Sequence, residues 1–140
     1  MKKALVIFST ILFLFLISSC QKEIPTKLTG YFYTSTPTMA EDYIVLFIDG
    51  ERIGKLPFIN ISKEMPLSVG DTTLTTNALK YSLMSGKHIF RAEKSDGKVI
   101  SLSEVSFLFY KNKTESSTKG NVGGNAINLT NEIFSMNLFE

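Results

Sequence analysis

The chain has 140 residues, with 15 Lys and Arg against 13 Asp and Glu, 11 Phe, no Trp, one Cys and one His. A single cysteine excludes an intrachain disulfide, and a single histidine excludes a multi-histidine metal site. The near balance of charge gives no broad attraction to nucleic acid, and the length is that of one domain able to bury a core.

Lys2 and Lys3 open the chain, and an apolar run follows from Ala4 to Ile17, interrupted only by Ser9 and Thr10. As a helix, about 14 residues would span roughly 21 Å, short of a hydrocarbon core of about 30 Å. A positive start, a short apolar run and small residues at a cut are the layout of a secretory signal. The run closes with Ile17-Ser18-Ser19-Cys20. This ending resembles the lipobox of bacterial lipoproteins. The resemblance implies removal of residues 1–19 and two or three acyl chains on Cys20, with palmitate among the expected lipids. One acyl chain binds a membrane only marginally, at about 0.8 kcal/mol per buried CH₂, whereas several together hold firmly. The alternatives are an uncleaved signal anchor and ordinary secretory cleavage. The second would leave Cys20 as an exposed thiol, a chemical liability. Loss of Lys2 and Lys3 from the 15 basic residues leaves 13 against 13 acidic ones, a formally neutral mature chain. Gln21-Lys22-Glu23 resembles the surface-export signals of Bacteroidetes lipoproteins. The expected location is the outer membrane, either at the cell surface or on the periplasmic face.

Residues 21–27 are polar, contain Pro25 and read with Cys20 as a lipidated tether, 20–27, ahead of a single domain, 28–140. Leu28 to Ser35 is aromatic and Thr-rich, which suits a strand. Tyr43 to Ile48 is apolar on both alternating faces, as in a strand covered on two sides. Asp49-Gly50 follows as a hairpin turn, because glycine takes positive φ at little cost. The return strand passes Glu51, Arg52 and Ile53. Gly54 suggests a bulge or a close backbone approach, and Pro57 ends the pairing for want of an amide hydrogen. After a longer connection from Asn60 to Thr73, Thr76-Asn77 reads as the cap of a short helix, Ala78 to Ser85, with Leu79 and Leu83 on one face and Gly86 as its stop. An extended reading of that segment is the alternative.

Lys87–Lys94 and Lys98–Tyr110 read as two strands joined by Ser95-Asp96-Gly97. In the second, Val99, Val105, Phe107 and Phe109 share a face interrupted by Ser101 and Ser103. Residues 111–125 are Ser, Thr, Asn, Gly and Lys with almost nothing apolar, and read as a mobile loop. Ala126–Thr130 and Ile133–Phe139 return as one or two strands. The terminal Phe134, Met136, Leu138 and Phe139 predict a docked end. The whole pattern is mainly β: a small antiparallel β-sandwich of six or seven strands with one short helix, an α+β arrangement being the alternative.

The order Ile48-Asp49-Gly50, Gly54, Leu56-Pro57, then Leu83, Gly86 and His88 resembles the PEGA-type β modules of bacterial surface proteins. The similarity runs from Tyr43 to Glu93, and the connection from Phe58 to Ala78 is longer than the family's. It implies a cell-envelope module with no catalytic constellation to transfer.

Few residues nominate themselves for chemistry. His88 alternates with Phe90 and Ala92; its functional reading is a general base, and its plain one a half-buried histidine bonded at a strand start. No Gly-x-Ser-x-Gly elbow accompanies it. Glu41-Asp42 is the only adjacent acidic pair. Residues Gly120 to Gly124 lack the Lys-Ser/Thr of a phosphate loop, and no calcium loop is present. Tyr31, Phe32 and Tyr33 could stack on a sugar, or could be core and sheet-edge rings. Asp71-Thr72-Thr73 resembles the short O-glycan acceptor pattern of exported Bacteroidetes proteins, making Thr72 and Thr73 candidate modification sites. No cofactor and no catalytic residue is predicted. The expectation is a lipid-anchored envelope protein that binds or scaffolds. Its partners would be the membrane and an envelope protein or glycan. The alternatives are an inhibitor or immunity lipoprotein and an envelope glycan hydrolase.

Overall fold

The computed structural model describes residues 21–62 and 65–140; the signal segment 1–19 and Cys20 lie outside the described residues. Among the described residues nine strands and one helix follow in chain order: β1 Lys27–Tyr33, β2 Ile44–Ile48, β3 Glu51–Leu56, α1 Thr72–Asn77, β4 Leu79–Met84, β5 Gly86–Lys94, β6 Val99–Tyr110, β7 Lys113–Val122, β8 Gly124–Thr130 and β9 Ile133–Phe139. They form a four-stranded sheet, β4-β1-β9-β8, and a five-stranded sheet, β3-β2-β5-β6-β7. The mainly β sandwich is therefore present, with nine strands where the pattern predicts six or seven. Among the described residues no helix is long and apolar enough to cross a membrane.

One pairing departs from the antiparallel expectation. β1 and β9 run parallel, with Gly30 opposite Phe134 and Phe32 opposite Met136. Parallel strands need cover on both faces, and this pair has it. Leu28, Phe32, Phe134, Met136 and Leu138 point into the space between the sheets, all fully buried. On the other side, Tyr33, Ile59 and Leu74 form a second core, with Tyr31, Ile61, Leu67 and Ala78 packed on it. Ile59, Ile61, Leu67, Leu74 and Ala78 thus lie over the outer face of the four-stranded sheet. Ser135 Oγ donates to the Leu67 carbonyl, and the Leu67 N–H donates to the Tyr33 hydroxyl at 2.7 Å.

The main core is aromatic. Phe134 meets Phe32 edge-on at 5.4 Å and lies 4.7 Å from Phe107, and Phe32 lies 5.6 Å from Phe90. Rings at these separations and tilts contribute beyond their area alone. The β2–β3 hairpin turns where expected, with positive φ at both Asp49 (52°) and Gly50 (86°). The bulge also falls as expected: Leu46 pairs Gly54 and Phe47 pairs Arg52, leaving Ile53 unmatched.

Two segments differ from the sequence expectation. The helix is Thr72–Asn77, not Ala78–Ser85, which contains β4 instead. Asp71 caps α1 with extended backbone and a carboxylate that accepts from the Thr73 N–H at 2.8 Å. Leu79 and Leu83 satisfy a helical spacing of four and a strand spacing of two equally well. Pairing with β1, which sets Leu79 against Phe32 and Leu83 against Leu28, decides for the strand. The second difference is the mobile loop at 111–125. That stretch forms β7, paired along β6 from Tyr110–Lys113 to Leu102–Val122, and then enters β8. Its side chains at 113–120 are all exposed. Burial does not order it; the twelve-residue β6 does, by offering a free edge of backbone donors and acceptors.

The crossing from β7 to β8 depends on Gly123. Its φ is +56°, and a Cβ there would sit 1.9 Å from the Ile100 carbonyl oxygen. The docked C-terminus is present as β9, held between β1 and β8.

Candidate functional site

His88 lies where the chain passes from the four-stranded sheet into the five-stranded one. Its Nδ1 is 2.7 Å from Asp49 Oδ2, and its Nε2 is 2.7 Å from the Met84 carbonyl oxygen. Each ring nitrogen thus lies at hydrogen-bond distance from an oxygen acceptor. Asp49 Oδ1 accepts from the Ile89 N–H at 2.8 Å. Burial alone would raise the Asp49 pKa; the Ile89 N–H and the His88 hydrogen bond and charge outweigh it and hold the carboxyl below its ordinary value. The imidazole side chain is 15% exposed and the carboxylate 52%.

This arrangement ties the β2–β3 turn, the end of β4 and the start of β5 together. A general base needs a lone pair free to take a proton. Here both nitrogens are engaged, so the geometry matches a bonded histidine at a strand start. The participation of Asp49 has no sequence signal beyond its place before Gly50. Its reach to His88 and Ile89 comes from the pairing of β2 with β5, which sets Ile48 opposite Phe90.

The other candidates fall apart in space or are absorbed by packing. Phe32 and Tyr33 are fully buried, one in each core, so no aromatic platform forms there. Asp71 is a helix cap, and Thr72 and Thr73 are exposed on the first turn of α1. Asp42 accepts from Ser95 Oγ at 3.1 Å, while Glu41 is exposed beside it. Among the described residues no cluster of three or more His, Cys, Asp and Glu could hold a metal ion.

A surface the sequence reading missed is the outer face of the five-stranded sheet. The register sets Phe47, Arg91, Leu102 and Val122 in one row across β2, β5, β6 and β7. Ile89, Glu104 and Lys119 form the next row. The Arg91 guanidinium stacks 4.4 Å above the Phe47 ring, a cation–π contact, and pairs with Glu93 at 3.1 Å. Ile89 is 47% exposed and Val122 43%. Asp49, Gly50, Ile89, Arg91 and Leu102 line a shallow groove of about 450 Å³. Lys87 and Glu104 pair on the same sheet at 3.3 Å. This face mixes apolar side chains with paired charges, and among the described residues no second layer covers it as Ile59, Ile61, Leu67 and Leu74 cover the opposite sheet.

These features define a nine-stranded two-sheet β-sandwich with one closed and one open outer face. Comparison with protein-family models, curated proteins and solved structures finds no match.

Proposed function

We propose that this chain is a lipid-anchored protein of the bacterial cell envelope that binds or scaffolds a partner rather than performing catalysis. The anchor reading comes from Lys2, Lys3, the apolar run to Ile17 and the Ser18-Ser19-Cys20 ending. The binding reading is carried by one observation, the asymmetry between the two outer faces. Ile59, Leu67 and Leu74 close one sheet with a second core, whereas among the described residues the row Phe47, Arg91, Leu102 and Val122 on the other stays open. Aromatic and Arg side chains in a partly apolar patch are what binding centres are built from. The engagement of both His88 nitrogens supports the non-catalytic side of the reading.

The test is cross-linking and capture of envelope proteins and glycans by the full chain in a bacterial host. Ile89→Glu combined with Leu102→Glu is expected to reduce the captured partner at least tenfold, the scale of losing a binding centre. Lys80→Glu, on the four-stranded sheet, should leave capture intact. Equal capture by both variants would overturn the reading. Recovery of a hydrolase would favour the inhibitor or immunity role, and recovery of structural envelope components would favour scaffolding.

A further inference from the structure

The segment joining Cys20 to β1 is fastened to the domain. The Ile24 N–H donates to the Phe109 carbonyl at 2.7 Å. The Thr26 N–H donates to Ser85 Oγ at 2.9 Å, and the Ser85 N–H donates back to the Thr26 carbonyl at 2.6 Å. These three bonds hold residues 24–26 against the end of β6 and the β4–β5 crossing. Residues 21–25 therefore lie beside Lys111 and Asn112 of the β6–β7 turn, across an open groove of about 610 Å³. Cys20 is the next residue, and consecutive Cα atoms are about 3.8 Å apart. Gln21, the first described residue, lies at this end of the sandwich.

Both ends expose apolar side chains, and at the far end Met39, Tyr43 and Phe58 are 82%, 37% and 48% exposed. The register brings Lys27 opposite Met84 and Thr29 opposite Ile133, so those residues share the anchor end. There Ile24, Met84 and Ile133 are 47%, 49% and 39% exposed. Lys22, Lys27, Lys111 and Lys113 are exposed around them, with Glu23, Glu115 and Glu132 as the acidic neighbours. Lys113 is paired with Glu115 at 2.6 Å. At the far end Glu140 holds both Lys94 and Lys98, while Asp42 accepts from the Ser95 hydroxyl and Asp96 from the Lys98 N–H.

We propose that the anchor end rests on the bilayer that holds Cys20. Ile24, Met84 and Ile133 meet the lipid interface, and Lys22, Lys27 and Lys111 face the headgroup phosphates. Lysine stems lie along apolar surface while their ammonium groups reach polar headgroups, so this mixture suits an interface. The strands then run away from the membrane, and the open face of the five-stranded sheet looks sideways, free for a partner. This inference rests on the reading of Cys20 as the lipid anchor.

The absence of Trp from the sequence makes the test direct. Asn112→Trp and Thr38→Trp place one reporter at each end of the full chain, which is produced with its export signal and reconstituted in phosphatidylglycerol–phosphatidylethanolamine vesicles carrying brominated acyl chains. Emission from Asn112→Trp is expected to fall at least twofold, and that from Thr38→Trp to stay unchanged. Adding Lys22→Glu and Lys111→Glu should weaken the quenching. Equal emission from both reporters, or quenching of Thr38→Trp alone, would overturn the orientation while leaving the anchor intact. A mass spectrum showing no acyl group on Cys20 would remove the anchor and this inference together.

Discussion

Glu140 closes the far end of the sandwich. Hydrogen bonds from Lys98 and Lys94 hold its carboxyl at about 2, down from an ordinary 4.5. A folded value below the unfolded one stabilises the fold above about pH 4.5, and that contribution is lost as the pH falls toward about 2. The groups are solvent-exposed, so the effect is small and screened by salt. Thermal melts from pH 7 to pH 2.5 should therefore show a larger fall in Tm for the native chain than for Glu140→Gln. Parallel curves would contradict the assignment. Asp49 acts in the same direction, and its half-exposed carboxylate adds to the acid sensitivity. The turn role of Asp49 was legible from the following glycine. Its bonds to His88 and Ile89 were not, because those residues are about forty positions away.

At the scale of elements, β9 shows how polar residues enter a buried strand. Asn137 is fully buried; its Oδ1 accepts from the Ser35 N–H and its Nδ2 donates to Ser35 Oγ, each at 2.9 Å. This fastens the chain after β1 to the last strand. Asn137→Ala leaves the Ser35 N–H buried without that acceptor and should cost about 1–3 kcal/mol. A denaturant midpoint gives the loss, and faster hydrogen exchange at the Ser35 amide localises it. An unchanged midpoint would refute the clamp. β2, with its continuous apolar run, and the alternating β5 and β6 were legible in the sequence. β4 was not, since Leu79 and Leu83 fit two periods. β7 was not either, since its polar residues carry no burial signal and its partner edge supplies the order.

The whole molecule is closed by the parallel contact of its first and last strands. Phe134 sits at that contact, touching Phe32 of β1 and Phe107 of the opposite sheet. Phe134→Ala removes a buried ring shared by both sheets and should cost about 3–5 kcal/mol. The unfolding curve should shift as one transition, measured by circular dichroism and ring fluorescence together. Separate transitions for the two probes would show that the sheets fold independently.

The sequence by itself determined the mainly β class, the Asp49-Gly50 turn, the bulge beside Gly54 and the docking of the last apolar strand. Each of these follows from local periodicity or from one residue's backbone freedom. Tertiary structure alone decided the parallel β1–β9 pair, the strand identity of β4 and β7, and which sheet face was covered. Those outcomes depend on which distant edge or layer is at hand to satisfy backbone groups and bury side chains, and local pattern carries no record of that.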